Sequence, residues 1–134
     1  MQATKYLLVF LVILSAACSG LSIKNQADKL KTALDDYGAA LRWGRYNYAY
    51  TFHIDQEGKQ PEIDLDALEK FSVTAFKPVD PVLNAEATEA TIPVEIDYYE
   101  EQYGTLKKFK YIQKWWFNAE AKRWLIASEF PQFK

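Results

Sequence analysis

Few side chains of this 134-residue sequence have a type and a spacing that could do chemistry. The carboxylate of Asp97 and the phenol of Tyr99 are two residues apart in an alternating segment, and Tyr111 follows on the next predicted strand. If these side chains point into a pocket, burial raises the pKa of the carboxyl and gives a base beside a phenol. The other interpretation is that Glu95, Asp97 and Tyr99 form a solvated face of the sheet.

The remaining chemistry-bearing residues are scarce. His53 is the sole histidine, and we predict it at the C-terminal end of a helix, where the helix dipole favours a protonated imidazole in solvent. With one histidine, one cysteine and no loop of alternating carboxylates, the sequence predicts no metal site. Its five glycines are scattered, so a phosphate cradle is also absent, and we expect no cofactor.

Cys18 is the only cysteine and ends an apolar run, Tyr6 to Ala17, that follows Lys5. The run is roughly 18 Å long as a helix, against about 30 Å of hydrocarbon, so it is too short to span a membrane. This pattern is typical of a secretory signal peptide. The sequence therefore predicts a signal peptide over 1–17, a tether over 18–26 and a single domain over 27–134.

The four residues Ser15, Ala16, Ala17 and Cys18 resemble the lipobox of bacterial lipoproteins. Ser15 stands where leucine is commonest, so the same residues also suit ordinary signal peptidase. An unpaired thiol at the first mature position of an exported protein is an oxidation liability, which acylation removes. The resemblance implies a lipid anchor on Cys18, carrying acyl chains such as palmitate, and a place in the cell envelope. Ser19 resembles the pattern of outer-membrane lipoproteins facing the periplasm, if the host is Gram-negative.

Size and charge exclude several classes of protein. The mature chain of roughly 117 residues is the usual length of one domain with one core. Its formal charge is −2 before removal of the signal peptide, which carries Lys5. A nucleic-acid binder would show a clustered basic excess, so we expect no nucleic-acid partner.

The spacing of apolar residues predicts helices first. Leu30, Leu34, Tyr37 and Leu41 recur at three or four residues, the stripe of an amphipathic helix. We expect this helix to end near 41–43, a second helix over 45–52, and a short helix over 65–71 capped by Asp64 or Asp66.

Beyond residue 72 the apolar period changes to two, which predicts strands. The first, at 73–76, precedes Pro78 and Pro81, which lack backbone donors, so we expect it at an edge or a bulge. Three longer strands follow at 91–100, 105–118 and 123–130. An amphipathic helix lying across a strongly twisted antiparallel sheet gives an α+β fold.

Aromatic residues are abundant, at 16% of the sequence. Trp115, Trp116 and Phe117 are consecutive, and alternate residues of a strand point to opposite faces. Either both faces are covered there, or aromatic surface is exposed as a partner or ligand site. We expect an exposed aromatic sheet face, with Trp43, Trp116 and Trp124 in the core or at its edge. The candidate binding residues on that face are Trp115, Phe117, Tyr111 and Tyr99.

Three segments carry a resemblance to a known fold family. The helix order and residues 40–46, 113–117 and 122–126 resemble small NTF2-like (cystatin-like cone) bacterial lipoproteins. The resemblance implies an α+β roll without naming an activity. The leading hypothesis is an envelope lipoprotein that acts as a non-enzymatic binding or structural module, with an envelope protein or a second copy as partner. The alternative is an enzyme or small-molecule-binding protein with a site inside the cone, built from Asp97 with Tyr99 or Tyr111.

Overall fold

The computed structural model describes the backbone of residues 2–134 and the side chains of residues 20–134. The side chains of the predicted signal peptide and of Cys18 lie outside the described residues. Within the part that is described, no helix is both long and apolar enough to cross a membrane.

Three helices precede the sheet: α1 (Gln2–Arg42), α2 (Tyr46–Tyr50) and α3 (Leu65–Leu68). The predicted stripe of α1 is buried, and the helix ends where its spacing indicated. Residues 20–26, expected as a tether, continue the helix, and the carbonyl of Gln26 accepts a hydrogen bond from Nε1 of Trp124 at 2.8 Å. Asp64 caps α3 as predicted, because its side chain accepts from the backbone N–H of Ala67.

Five antiparallel strands form one sheet: β1 (Phe71–Pro78), β2 (Val82–Leu83), β3 (Glu89–Glu100), β4 (Leu106–Asn118) and β5 (Arg123–Ile126). Their order is β1-β3-β4-β5, with the short β2 paired to the start of β3. The prediction for β1 is confirmed, since it lies at the edge and its register shifts between Val73 and Ala75. The sequence did not predict β2, and β5 ends at Ile126, four residues earlier than expected.

The core lies between α1 and the inner face of this curled sheet, so the predicted α+β class is confirmed. Ile92, Val94 and Ile96 of β3 point inward and pack in the same core as the buried stripe of α1. Gly38 allows the close approach of the two layers, because a Cβ at this position would lie 2.7 Å from Cδ1 of Phe76. The odd-numbered residues of β4 share the inner face, which decides where its aromatic side chains lie.

Residues 127–134, called the crossing segment below, follow β5 without regular secondary structure. They lie against the inner side of β3 and β4, and Phe130, Pro131 and Phe133 are buried there. Side chains of the sheet hold their backbone: Tyr98 donates its hydroxyl hydrogen to the carbonyl of Lys134 at 3.2 Å and Lys107 donates to the same oxygen at 2.6 Å. The crossing segment therefore closes the concave side of the sheet.

Candidate functional site

The most exposed large aromatic side chain among the described residues is that of Trp43, with 78% of its surface accessible. Helix α1 ends at Arg42, and Gly44 adopts a φ of +69°, the left-handed conformation that terminates helices. The chain reverses here, and the N–H of Arg45 bonds the carbonyl of Ala40 at 2.8 Å. The turn holds the backbone of Trp43 while its indole projects into solvent. The expectation that Trp43 belongs to the core is therefore wrong.

A groove of about 550 Å³ lies beside this indole, between the end of α1 and the start of α2. Tyr48 forms part of its wall with 46% of its surface exposed, and the ring of Phe52 packs against Tyr48 edge-on at 5.5 Å. The groove brings together two aromatic rings, one carboxylate and one guanidinium. Its lining residues are Asp36, Ala39, Ala40, Trp43, Arg45 and Tyr48. We call these residues the Trp43 groove.

A second, smaller cavity of about 300 Å³ also has Trp43 among its lining residues. Arg42, Glu69 and Glu101 supply its charged groups, and Phe71 and Val73 part of its apolar wall. Trp43 thus borders two concave surfaces. Concavities with exposed aromatic and arginine side chains are typical of protein contact surfaces.

The predicted aromatic sheet face is not present as expected. Trp115 is only 1% exposed, its ring lies 5.8 Å from that of Tyr37 on α1, and it packs in the core. Phe117 is on the same inner face and is half-buried against Trp124. The prediction was wrong for Trp115 because odd positions of β4 face the helix. Trp116, expected in the core or at its edge, points the other way, is half-buried and donates from Nε1 to the carbonyl of Ile54.

The predicted constellation of Asp97 with Tyr99 or Tyr111 does not form either. Asp97 and Tyr99 lie on the outer face, whereas Tyr111 points inward. Asp97 Oδ2 pairs with Lys77 Nζ at 2.9 Å, and its Oδ1 lies 3.6 Å from Lys108 Nζ. The hydrogen bond from Lys77, with the added charge of Lys108, lowers the pKa of Asp97, so this carboxyl is a poor proton acceptor.

His53 is fully buried, which corrects the expectation of a solvated helix-end histidine. Its Nδ1 lies 3.0 Å from the carbonyl of Ser128, which only accepts, so Nδ1 carries the hydrogen. Nε2 therefore accepts from the hydroxyl of Tyr37 at 2.8 Å. Burial lowers the pKa of His53 to about 4 and keeps the ring neutral. Both ring nitrogens are used in holding α1 and the crossing segment together.

A second chain of hydrogen bonds runs along the inner face of β4. Trp115 Nε1 donates to Oε1 of the fully buried Gln113 at 2.9 Å, and Gln113 Nε2 donates to the hydroxyl of Tyr111 at 2.7 Å. The hydroxyl of Tyr111 then donates to the carbonyl of Glu129 in the crossing segment at 3.2 Å. Burial raises the pKa of Tyr111, so it stays protonated as this donor requires. The concave interior is thus filled by its own polar network.

A pocket of about 350 Å³ lies at the edge of this interior. Three aromatic rings from the sheet and one from the crossing segment line it, together with polar groups of that segment. Its lining residues are Tyr98, Phe109, Tyr111, Glu129, Phe130, Gln132 and Lys134. Among residues 20–134, no group of three or more histidine, cysteine, aspartate or glutamate side chains is arranged to hold a metal ion.

Comparison of the chain with protein-family models, with curated proteins and with solved structures gives no match. The surfaces of the molecule itself are therefore the basis on which a function can be inferred. Of these, the Trp43 groove contains the most exposed indole among the described residues. Helical geometry could have indicated it, because Trp43 lies two residues, about 200°, beyond Leu41 of the buried stripe.

Proposed function

We propose that this chain is a lipid-anchored protein of the cell envelope, and that it is a non-enzymatic module that binds a protein partner through the Trp43 groove. The observation that carries the proposal is Trp43, which is exposed over 78% of its surface and borders two concavities. Exposing an indole to water is costly unless a partner covers it, since a buried tryptophan removes 150–250 Å² of surface. The exposed aromatic surface thus lies at the end of α1 rather than on the sheet face that the sequence predicted.

The composition of the groove favours a protein as the partner. Tryptophan, tyrosine and arginine are the residues that dominate binding energy at protein interfaces, and the groove contains one of each. Asp36 and Arg45 lie at its borders and offer an acceptor and a donor that fix the orientation of a partner. We therefore expect an apolar side chain of the partner to insert between Trp43 and Tyr48.

The proposal of a non-enzymatic role rests on the titratable groups of the described interior. His53 has both ring nitrogens in hydrogen bonds with the protein itself. Asp97 is held by Lys77 on the outer face, and the raised pKa values of Tyr37 and Tyr111 keep both phenols protonated. These groups have structural partners, which argues against their use as base or nucleophile.

The proposal of a lipid anchor rests on Cys18 and the residues before it. Acylation of this thiol would place the folded domain at the membrane from which α1 emerges. If the host is Gram-negative, Ser19 favours the outer membrane with the domain in the periplasm. The finer fold assignment is part of the same proposal: a helix lying across a curled antiparallel sheet is consistent with an NTF2-like (cystatin-like cone) domain.

The test places a photo-crosslinking amino acid at position 43 or 48 of the full chain in its native membranes. We expect one protein to be crosslinked at both positions, and the added change Arg45→Ala to weaken its capture. The matched control is position 103, since Tyr103 is 69% exposed in the turn between β3 and β4. Equal crosslinking of the same proteins at positions 43 and 103 would contradict the proposal.

A second candidate is the binding of a small apolar molecule in the 350 Å³ pocket beside Tyr111. Four aromatic rings around a cavity with a few polar groups are typical of ligand sites. Phe109→Trp would fill the pocket without touching the Trp43 groove. If cells carrying this variant lose the protein's function while crosslinking at position 43 stays unchanged, the ligand site is favoured over the Trp43 groove.

A further inference from the structure

The outer face of the sheet carries a row of exposed aliphatic residues that the fold leaves uncovered. Pro93 of β3 pairs with Ile112 of β4, and the N–H of Val79 bonds the carbonyl of Pro93 at 2.8 Å, so these three residues are neighbours across the sheet. Val82 lies alongside, paired with Thr91. Ile112, Val79 and Val82 are exposed over 54%, 48% and 66% of their surfaces.

Lysine side chains border this row on both sides. Lys110 and Lys114 stand two residues before and two residues after Ile112 on the same face of β4, and Lys77 lies beyond Val79 at the edge. Carboxylates lie among these lysines: Asp97 pairs with Lys77 at 2.9 Å, and Glu95 pairs with Lys108 at 2.6 Å and lies 3.7 Å from Lys110. Asp80, between Val79 and Val82 in the sequence, is a further exposed carboxylate. Among the described side chains, Lys114 has no carboxylate partner, and it donates to the hydroxyl of Thr91. The border of the apolar row thus combines lysines with carboxylates that are ion-paired to them.

The patch lies at the end of the domain where α1 enters. Thr91 of β3 pairs with Val82 of β2 on one side and with Lys114 of β4 on the other. The loop after β2 contacts α1, because the carbonyl of Ala87 accepts a hydrogen bond from Nε2 of Gln26 at 2.9 Å. The anchor proposed above precedes Gln26 on the same helix. The patch is therefore on the part of the domain nearest to that anchor.

We infer that this patch docks on an anionic lipid bilayer, with the aliphatic row at the level of the headgroups and the lysines against their phosphates. Lysines beside exposed aliphatic side chains suit such a surface, because the stems lie on the apolar boundary and the ammonium groups reach the phosphates. A protein interface is less favoured, since lysine is depleted in interface cores and the row contains no tryptophan, tyrosine or arginine. Glu86 and Glu89 beyond the row mark the limit of the patch.

The inference rests on the proposed anchor for proximity to the membrane, and the test separates the two. The full chain is placed in nanodiscs of phosphatidylcholine, with or without phosphatidylglycerol, and its lysines are labelled with an amine-reactive reagent and located by mass spectrometry. We expect Lys110 and Lys114 to react about fivefold more slowly when phosphatidylglycerol is present, the factor one lysine contributes at an anionic surface. High salt should remove the difference. Lys59 and Lys122, exposed elsewhere, serve as controls within the chain.

Variants make the outcome specific to the patch. Ile112→Ser should remove most of the protection of Lys110 and Lys114, whereas Leu106→Ser, at an exposed position of the same strand outside the patch, should not. Equal labelling in both lipids, or protection that depends on protein concentration rather than on phosphatidylglycerol, would overturn the inference. The mass of the Cys18 peptide in the same sample tests the anchor independently. If Cys18 is acylated but Lys110 and Lys114 are not protected, the docking inference alone is overturned. If the lysines are protected but Cys18 is not acylated, the proposal of a lipid anchor alone is overturned.

Discussion

The hydroxyl of Tyr37 donates a hydrogen bond to Nε2 of His53 at 2.8 Å, and this contact joins the long helix to the end of α2 in the centre of the core. The other ring nitrogen of His53 bonds the carbonyl of Ser128 in the crossing segment. One neutral imidazole therefore links three parts of the chain that are distant in sequence. Protonation of His53 would therefore affect the contacts among all three parts of the chain.

The free energy of unfolding should fall as the pH is lowered from about 6.5 to about 4. The unfolded chain binds a proton at His53 near pH 6.5, whereas burial lowers the folded pKa to about 4, so between these values the unfolded state holds more protons. Below the folded pKa the loss is complete, at about 3 kcal/mol from this residue. Denaturant unfolding at several pH values measures the slope.

Carboxylates also titrate in this range, so the matched variant is His53→Gln. Its unfolding should depend less on pH by about one proton across the same window. Because the chain has one histidine, a single imidazole resonance reports its folded pKa directly by NMR. A resonance that titrates near 6.5 in the folded protein would contradict the prediction.

Tyr37→Phe removes the donor to His53 and leaves a buried acceptor without a partner. We expect a loss of about 1–3 kcal/mol in the free energy of unfolding. The folded pKa of His53 should also rise, because the neutral imidazole loses a hydrogen bond that stabilises it. A double-mutant cycle with His53→Gln measures the coupling, and additive losses would show that the two side chains do not interact.

Much of this fold could be predicted from local pattern, because the apolar stripe of α1 and the period of β3 and β4 are decided by near neighbours. Which face of β4 points inward could not be predicted in this way. Aromatic side chains occur at both parities of β4, so only the pairing of strands and helix shows that Trp115 points inward and Trp116 outward. The environment of His53 could not be predicted either, because the carbonyl that its ring contacts belongs to Ser128, 75 residues away in the sequence.

Trp115→Ala should act on stability rather than on binding. The indole is buried between α1 and the sheet and holds Gln113, so its removal leaves a cavity and an unpaired amide. We expect a cost of about 3–5 kcal/mol, seen as a lower denaturation midpoint and a lower yield of folded protein. A Trp115→Ala chain with unchanged thermal unfolding would show that this indole is not part of the core.

Gly38→Ala should destabilise the packing of α1 on β1. The added Cβ would lie 2.7 Å from Cδ1 of Phe76, so one of the two layers has to move. The expected cost is about 1–3 kcal/mol, the usual range for an overpacked core. Phe76→Leu should relieve part of it in the double variant. Gly20→Ala, where nothing lies within 4 Å, is the control and should be neutral or slightly stabilising.

Trp43→Ala should leave the fold unchanged, which makes it the variant on which the binding proposal depends most directly. The indole loses little contact with the protein when it is truncated, because 78% of its surface already faces solvent. We expect the free energy of unfolding to change by less than about 0.5 kcal/mol, as for surface substitutions in general. Partner binding should fall by more than about tenfold, as for a central tryptophan at an interface. A variant that unfolds readily would assign Trp43 to the core, and one that binds normally would remove it from the contact surface.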